Sequence, residues 1–154
     1  MTPKLDLNDK EILRQLQNDA LITTKKLATL LNLSSTAIYE RVRRLENDGI
    51  IKKYVALIDK ELIGKNLTVF CNVSLKEHAR EAGVKFVNDI VQLEEVMECY
   101  NISGEYDFMI KIIVGGMPEY QAFLMNKLAS LDNIGSTHSI FVMGEIKHET
   151  ALAI

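Results

Sequence analysis

From residue 67 onward the sequence switches repeatedly between two periods, and that order of switches leaves very few topologies open. Leu67, Val69, Cys71, Val73 and Leu75 recur at every second position, the repeat of a strand that buries one face. From His78 to Val91 the spacing becomes helical, with Ala82, Phe86, Val87, Ile90 and Val91 available for an apolar stripe. Val96 to Ser103 predicts a second strand, Gly104-Glu105 a turn, and Phe108 to Val114 a third strand. Gly115-Gly116 ends that strand, and Pro118 stands where a second helix begins. This helix is expected to reach about Leu131, carrying Tyr120, Phe123, Leu124, Leu128 and Leu131 on its apolar side. Asp132-Asn133 then turns the chain into a last strand, about Ser136 to Lys147. Strand, helix, strand, strand, helix, strand is the split βαβ plan: a ferredoxin-like βαββαβ domain of four antiparallel strands with two helices on one face.

A sheet covered on one face only should alternate to polar residues on the other. These strands do not. Phe70 interrupts the first, Met97 and Cys99 the second, Met109 and Ile113 the third, and Phe141 and Met143 the last. A bare face carrying Phe70, Met97, Met109, Ile113, Phe141 and Met143 is too apolar for a monomer. No residues remain to build another cover, so a second copy is expected to lie on it, sheet on sheet, as an isologous homodimer.

The first 60 residues differ in period and in charge. They carry 11 Lys+Arg against 8 Asp+Glu, a balance of +3, whereas residues 61–154 carry −6, so that the net −3 conceals two modules. Asp6 or Asn8 caps a first helix with Leu7, Ile12, Leu13 and Leu16 at helical spacing. Thr23 caps a short second helix with Leu27, Leu30 and Leu31 on its apolar face. Asn32-Leu33-Ser34 is a tight turn, and Ser34 or Ser35 caps a third helix that runs to about Asp48 and stops at Gly49. Two helices joined by about three residues form a helix-turn-helix. Ile50 to Ile58 reads as a strand or hairpin, a small wing.

On the third helix Ile38, Val42 and Leu45 share a core stripe, and Thr36, Glu40, Arg43 and Arg44 lie on the opposite face. Small residues near the N-terminus (Ser34, Ser35, Thr36) and forked arginines further along suit a helix that enters the major groove of double-stranded DNA. Arg41 lies nearer the core boundary, suited equally to a carboxylate, a phosphate or a base. Tyr39 points sideways, towards a phosphate or a packing contact. Three arginines alone are also what a solvated helix face carries; the preceding turn and the lysines that follow, Lys52 and Lys53, favour DNA.

The run from Leu33 to Ile51, with Arg41-Val42-Arg43-Arg44-Leu45-Glu46-Asn47-Asp48-Gly49-Ile50-Ile51 at its end, resembles the recognition-helix signature of the Lrp/AsnC transcriptional regulators. Leu5-Asp6…Asp9…Ile12-Leu13…Leu16-Gln17 and Tyr54-Val55-Ala56-Leu57-Ile58-Asp59…Leu62-Ile63-Gly64 resemble the family in order and spacing. Ala20-Leu21 departs from it, standing where members often carry an arginine. The resemblance implies an α+β chain. Residues 1–64 would be a winged helix-turn-helix domain with its linker strand. Residues 65–154 would be a ferredoxin-like (RAM) domain that binds an effector and oligomerises. It further implies an amino acid as effector, no other cofactor, and assembly of dimers into a tetramer or octamer. The turn Ser103-Gly104-Glu105-Tyr106-Asp107 looks like the family's ligand loop, its Gly-x-x-Asp pattern met by Gly104 and Asp107. An amino acid needs an acceptor for its ammonium, here Asp107, and donors for its carboxylate. The segment Gly135-Ser136-Thr137-His138-Ser139 supplies hydroxyls and backbone N–H groups. Gly and Asp also serve turns on their own account.

Other classes fit less well. No run of about 18 apolar residues spans a membrane, and Met1-Thr2-Pro3-Lys4-Leu5-Asp6 lacks a signal peptide's apolar stretch, which places the chain in the cytoplasm. Cys71, Cys99, His78, His138 and His148 show no zinc spacing. Cys71 and His78 make a poor nucleophile pair, one mid-strand and the other opening a helix, so neither a metal nor catalysis is expected. An RNA-binding sheet shares the strand order of the back module, yet that module is acidic and lacks stacking aromatics. An amino-acid-sensing regulatory subunit of an enzyme would need a catalytic partner constellation that the front module does not contain.

Overall fold

The computed structural model describes residues 4–77 and 79–154. Readings that involve Met1, Thr2, Pro3 or His78, including the Cys71–His78 pair, lie outside the described residues. The elements are α1 (Leu7–Asn18), α2 (Thr24–Leu31), α3 (Ser35–Asn47), β1 (Leu67–Leu75), α4 (Arg80–Ile90), β2 (Val96–Asn101), β3 (Phe108–Val114), α5 (Met117–Asn126), a 3-10 turn (Leu128–Ser130) and β4 (Ile134–Phe141). They divide into two compact units, Met1–Leu57 with Lys147–Ile154, and Ile58–Ile146. That division differs from the 64/65 boundary expected from the sequence, and it returns the last eight residues to the front unit.

In the front unit each helix starts where a side chain satisfies an amide that the helix leaves unpaired. The Asp6 carboxylate accepts the Asp9 N–H at 2.8 Å and the Asp9 carboxylate accepts the Asp6 N–H at 3.1 Å, a reciprocal capping box. Thr23 Oγ1 accepts the Lys26 N–H, and Ser34 Oγ accepts the Ala37 N–H. Asn32 ends α2 in the left-handed region (φ 53°), and Gly49, at φ +70°, follows α3. Ile12, Leu13, Leu27, Ala28, Ile38 and Leu45 form the buried core, with Leu5, Leu16, Leu31 and Val42 packed at its edge. Leu7 and Leu30, expected on apolar faces, point to solvent instead, Leu7 at 84% exposure.

The expected wing strand is not a strand here. Residues 52–59 lie outside every ladder, and Tyr54, Val55, Leu57 and Ile58 are exposed. A β-branched, apolar run supplies only the propensity; a strand also needs a neighbour for its N–H and C=O groups, and among the described residues none pairs with it. The C-terminal segment docks on α1 through its backbone. Gln17 donates its amide to Leu152 O at 3.1 Å and accepts the Leu152 N–H at 2.6 Å, Arg14 donates to Ile154 O, and Ile154 packs on the front core.

The back unit is a four-stranded sheet of order β2-β3-β1-β4, every pair antiparallel. This is the ferredoxin-like topology read from the periods. Val69, Cys71, Val73 and Leu75 of β1 and Phe108, Ile110, Ile112 and Val114 of β3 meet Phe86 and Ile90 of α4 and Tyr120 and Phe123 of α5 in one core. Three ends differ from expectation. Helix α5 stops at Asn126 and tightens into the 3-10 turn that seats Leu128. Strand β2 stops at Asn101, where Ile102 N–H donates to Asp107 O and closes the turn. Strand β4 stops at Phe141, leaving Met143 and Ile146 each 98% exposed.

The uncovered face also differs in membership. β4 pairs Phe141 with Val69 and Ile140 with Phe70. Phe141 therefore sits on the helix side, edge-on to Tyr120 with ring centroids 5.4 Å apart, and Ile140 takes its place on the open face. An irregularity between Val96 and Glu98 shifts the parity of β2, which turns Cys99 towards the core and brings Glu98 and Tyr100 to the open face. That face carries Phe70, Met109, Ile113 and Ile140 together with a Lys111–Glu98 pair at 3.0 Å and a Tyr100–Glu98 hydrogen bond at 2.6 Å.

Candidate DNA interface and effector site

The N-terminal turn of α3 presents Ser34, Ser35 and Thr36 to solvent, with Tyr39, Glu40, Arg43 and Arg44 exposed further along. Their exposure follows from the core stripe of Ile38 and Leu45, which turns the opposite helix face outward. The three arginines divide between two environments. Arg43 lies with its guanidinium carbon 6.0 Å from the centre of the Tyr39 ring, one turn back along the helix. Arg41 donates one nitrogen to Asp6 Oδ2 and Asp9 Oδ1, each at 2.7 Å. Arg44 donates to Asp9 Oδ2 at 2.5 Å while its side chain stays 49% exposed. Of the partners left open for Arg41 in the sequence, the structure supplies carboxylates.

In the sequence Asp9 stands out only within the Leu5-Asp6…Asp9 pattern shared with the family. It is 1% exposed and joins α1 to α3. The Asp9 N–H and then Arg41 hold the Asp6 carboxyl below the ordinary carboxylate range, and the Asp6 and Asp9 hydrogen bonds push Arg41 up. Beyond α3, Lys52 and Lys53 are exposed, and Tyr54 donates to Glu46 at 3.0 Å. Burial, followed by the Glu46 carboxylate, pushes the Tyr54 phenol up to about 12. Leu21, at the departure from the family pattern, is exposed.

In the back unit the two expected effector segments flank the same end of β1. On one side, Gly104 turns the loop at φ +117°, a region that L side chains rarely adopt. Asp107 N–H donates to Val73 O at 3.0 Å, the Asp107 carboxylate accepts the Leu75 N–H at 2.8 Å, and Ser74 Oγ donates to Glu105 O at 3.4 Å. On the other side, Ser136, Thr137, His138 and Ser139 pair with Ser74, Val73, Asn72 and Cys71. Gly135 passes so close to β1 that a Cβ there would stand 3.2 Å from Ser74 O. The rings of Tyr106 and His138 lie 6.2 Å apart, and Ser103, Gly104 and Glu105 are exposed beside them.

Two of these residues have structural duties. Asp107 ties the turn to β1, and the Ser139 hydroxyl shares a 2.5 Å hydrogen bond with the Tyr120 hydroxyl on the helix side. The Tyr120 phenol is pushed up to about 12, chiefly by burial, and burial likewise raises the neighbouring Cys71 thiol. Among the described residues no group of three or more His, Cys, Asp or Glu is placed to hold a metal ion, and no helix is long and apolar enough to cross a membrane.

Comparison with known proteins agrees with both halves. Residues 5–52 match the winged helix-turn-helix DNA-binding family, and residues 68–152 match the Lrp/AsnC ligand binding domain. The chain is 35% identical to the DNA-binding transcriptional activator DecR of Escherichia coli K12 over 97% of its own length and 99% of that protein's. It is also 35% identical to the leucine-responsive regulatory protein of the same strain, over 97% and 92% of the two chains. A transcriptional regulator from Neisseria meningitidis, solved as a complex with L-Met, superposes with a TM-score of 0.92 at 31% identity over 97% of each chain. A helix-turn-helix with an exposed arginine-bearing helix and a ferredoxin-like ligand-binding unit are thus joined in one chain, which belongs to the Lrp/AsnC family of DNA-binding transcriptional regulators.

Proposed function

We propose that α3 is the recognition helix, with Arg43 its principal specificity-bearing contact, Arg44 a second direct contact to the duplex, and Ser34, Ser35 and Thr36 at the phosphates beside its N-terminus. The observation that carries this reading is the division of the arginines: Arg41 and Arg44 bond carboxylates, while Arg43 stands on the outer face against Tyr39. Arg43→Ala is expected to weaken binding to a preferred duplex by about 1–3 kcal/mol and to relax preference at one base position. Gel shifts over a salt series check this. Unchanged affinity in a folded variant removes α3 from the base-reading role.

The back unit is proposed to bind an amino acid between residues 103–107 and 135–139, and to work as a dimer that assembles further into a tetramer or octamer. The bound L-Met of the Neisseria meningitidis regulator supports that ligand class. Calorimetry with the twenty amino acids tests it, with Asp107→Asn as the informative variant. Asparagine retains an acceptor for the Leu75 N–H and removes the charge that an ammonium needs. The variant is expected to lose at least about tenfold in affinity, in line with a charge-assisted hydrogen bond, without loss of thermal stability. A variant that binds as the parent does removes Asp107 from the site. On this reading the chain acts on DNA in the cytoplasm and catalyses no reaction.

A further inference from the structure

Asp9 is a buried carboxylate at the junction of α1 and α3. Its two oxygens receive three donors from two other places in the fold: the Asp6 N–H at 3.1 Å, Arg41 at 2.7 Å and Arg44 at 2.5 Å. Arg41 also reaches Asp6, so two carboxylates face two guanidiniums. An α1 that needed only a cap has one in Asp6, whose side chain already accepts the Asp9 N–H. The further contacts to α3 act on the helix proposed to read DNA. They cancel two of its three arginine charges locally, and they hold Arg44 by one nitrogen while half of its side chain faces solvent.

We infer that Asp9 is a positioning residue for DNA recognition: by holding Arg41 and Arg44 it lowers their indiscriminate pull on phosphate and aims Arg44, raising the ratio of specific to non-specific binding. The inference rests on α3 being the recognition helix. Its physical basis is that non-specific affinity grows with every cation able to displace counterions from phosphate, whereas discrimination needs a guanidinium held in a fixed geometry. An arginine paired to a buried carboxylate is restrained in both respects.

The full-length chain carrying Asp9→Asn tests this, since asparagine retains an acceptor for the Asp6 N–H. The probes are a duplex enriched by the parent protein from a random library and a random-sequence duplex of equal length, titrated over a salt series. Affinity for the random duplex is expected to rise and its logarithmic salt slope to steepen by about one, the increment for one added phosphate contact. The ratio of the two affinities is expected to fall by about tenfold or more, the order lost when a fixed guanidinium contact is loosened. A purely structural role lowers the melting temperature and moves neither the slope nor the ratio, and that result overturns the inference. If Asp9→Asn does not fold, Arg44→Gln decides. Loss of an aimed guanidinium lowers affinity for the enriched duplex more than for the random one, and an equal fall for both overturns the inference. Arg43→Ala separates the two readings: if it leaves binding unchanged, the recognition helix itself is misassigned.

Discussion

Ile38→Ala is expected to unfold the DNA-binding unit and leave the ligand-binding unit folded. Ile38 is fully buried in α3 and packs in one buried cluster with Ile12, Leu13, Leu27, Ala28 and Leu45. Truncating a buried isoleucine costs about 2–5 kcal/mol through lost burial and the cavity left behind. A core of this size, in a unit of about 65 residues, holds only a few kcal/mol in reserve. The back unit has its own core and shares none of these residues. Differential scanning calorimetry should show the front transition lowered by tens of degrees or lost, with the back transition in place. DNA binding should disappear while amino-acid binding persists. A single transition that moves as a whole would show that the two cores unfold as one.

Met109→Asp is expected to break the proposed dimer. The sheet face opposite α4 and α5 carries Phe70, Met109, Ile113 and Ile140, and among the described residues no further element of the back unit provides a third layer over it. Met109 is central, paired to Asn72 on one side and Tyr100 on the other. An aspartate buried there against a second sheet would lack a partner, at a cost of about 3–5 kcal/mol per copy. Because an isologous interface repeats every residue, the cost is incurred twice. The Lys111–Glu98 pair and Tyr100 make this face more polar than the sequence suggests, so the interface should also be sensitive to salt. Light scattering at micromolar concentration should find the parent protein as a dimer or larger and the variant as a monomer. A monomeric parent would remove the second copy from the argument.

The candidate effector site was legible where its backbone demands are local. Gly104 and Gly135 were singled out for a turn and for donors. Both prove to be backbone necessities, one at positive φ and the other pressed against β1. That the two segments flank one end of β1 follows from the strand order, because β3 and β4 are the two neighbours of β1. The engagement of Ser139 by Tyr120 was not legible, because the apolar pattern of β4 puts Phe141, and with it Ser139, on the open face, whereas the ladder with β1 turns both towards the helices. A one-residue error in register exchanges the faces of a whole strand.

What the sequence determined by itself is the order and type of the elements and most of their beginnings. Period two and period 3.6 are written in neighbouring side chains, and a cap such as Ser34 or Thr23 acts on an amide three residues away. What only the tertiary structure decided concerns partners distant in sequence. Arg41 and Arg44 carry the same charge as Arg43, yet a buried carboxylate more than thirty residues earlier holds those two. The run after α3 has strand propensity but no ladder, and the C-terminal residues dock on α1 through backbone groups that every sequence possesses. Local interactions are encoded where they act. Hydrogen bonds and ion pairs between elements depend on which surfaces the packed cores bring together, and side-chain identity alone does not specify that.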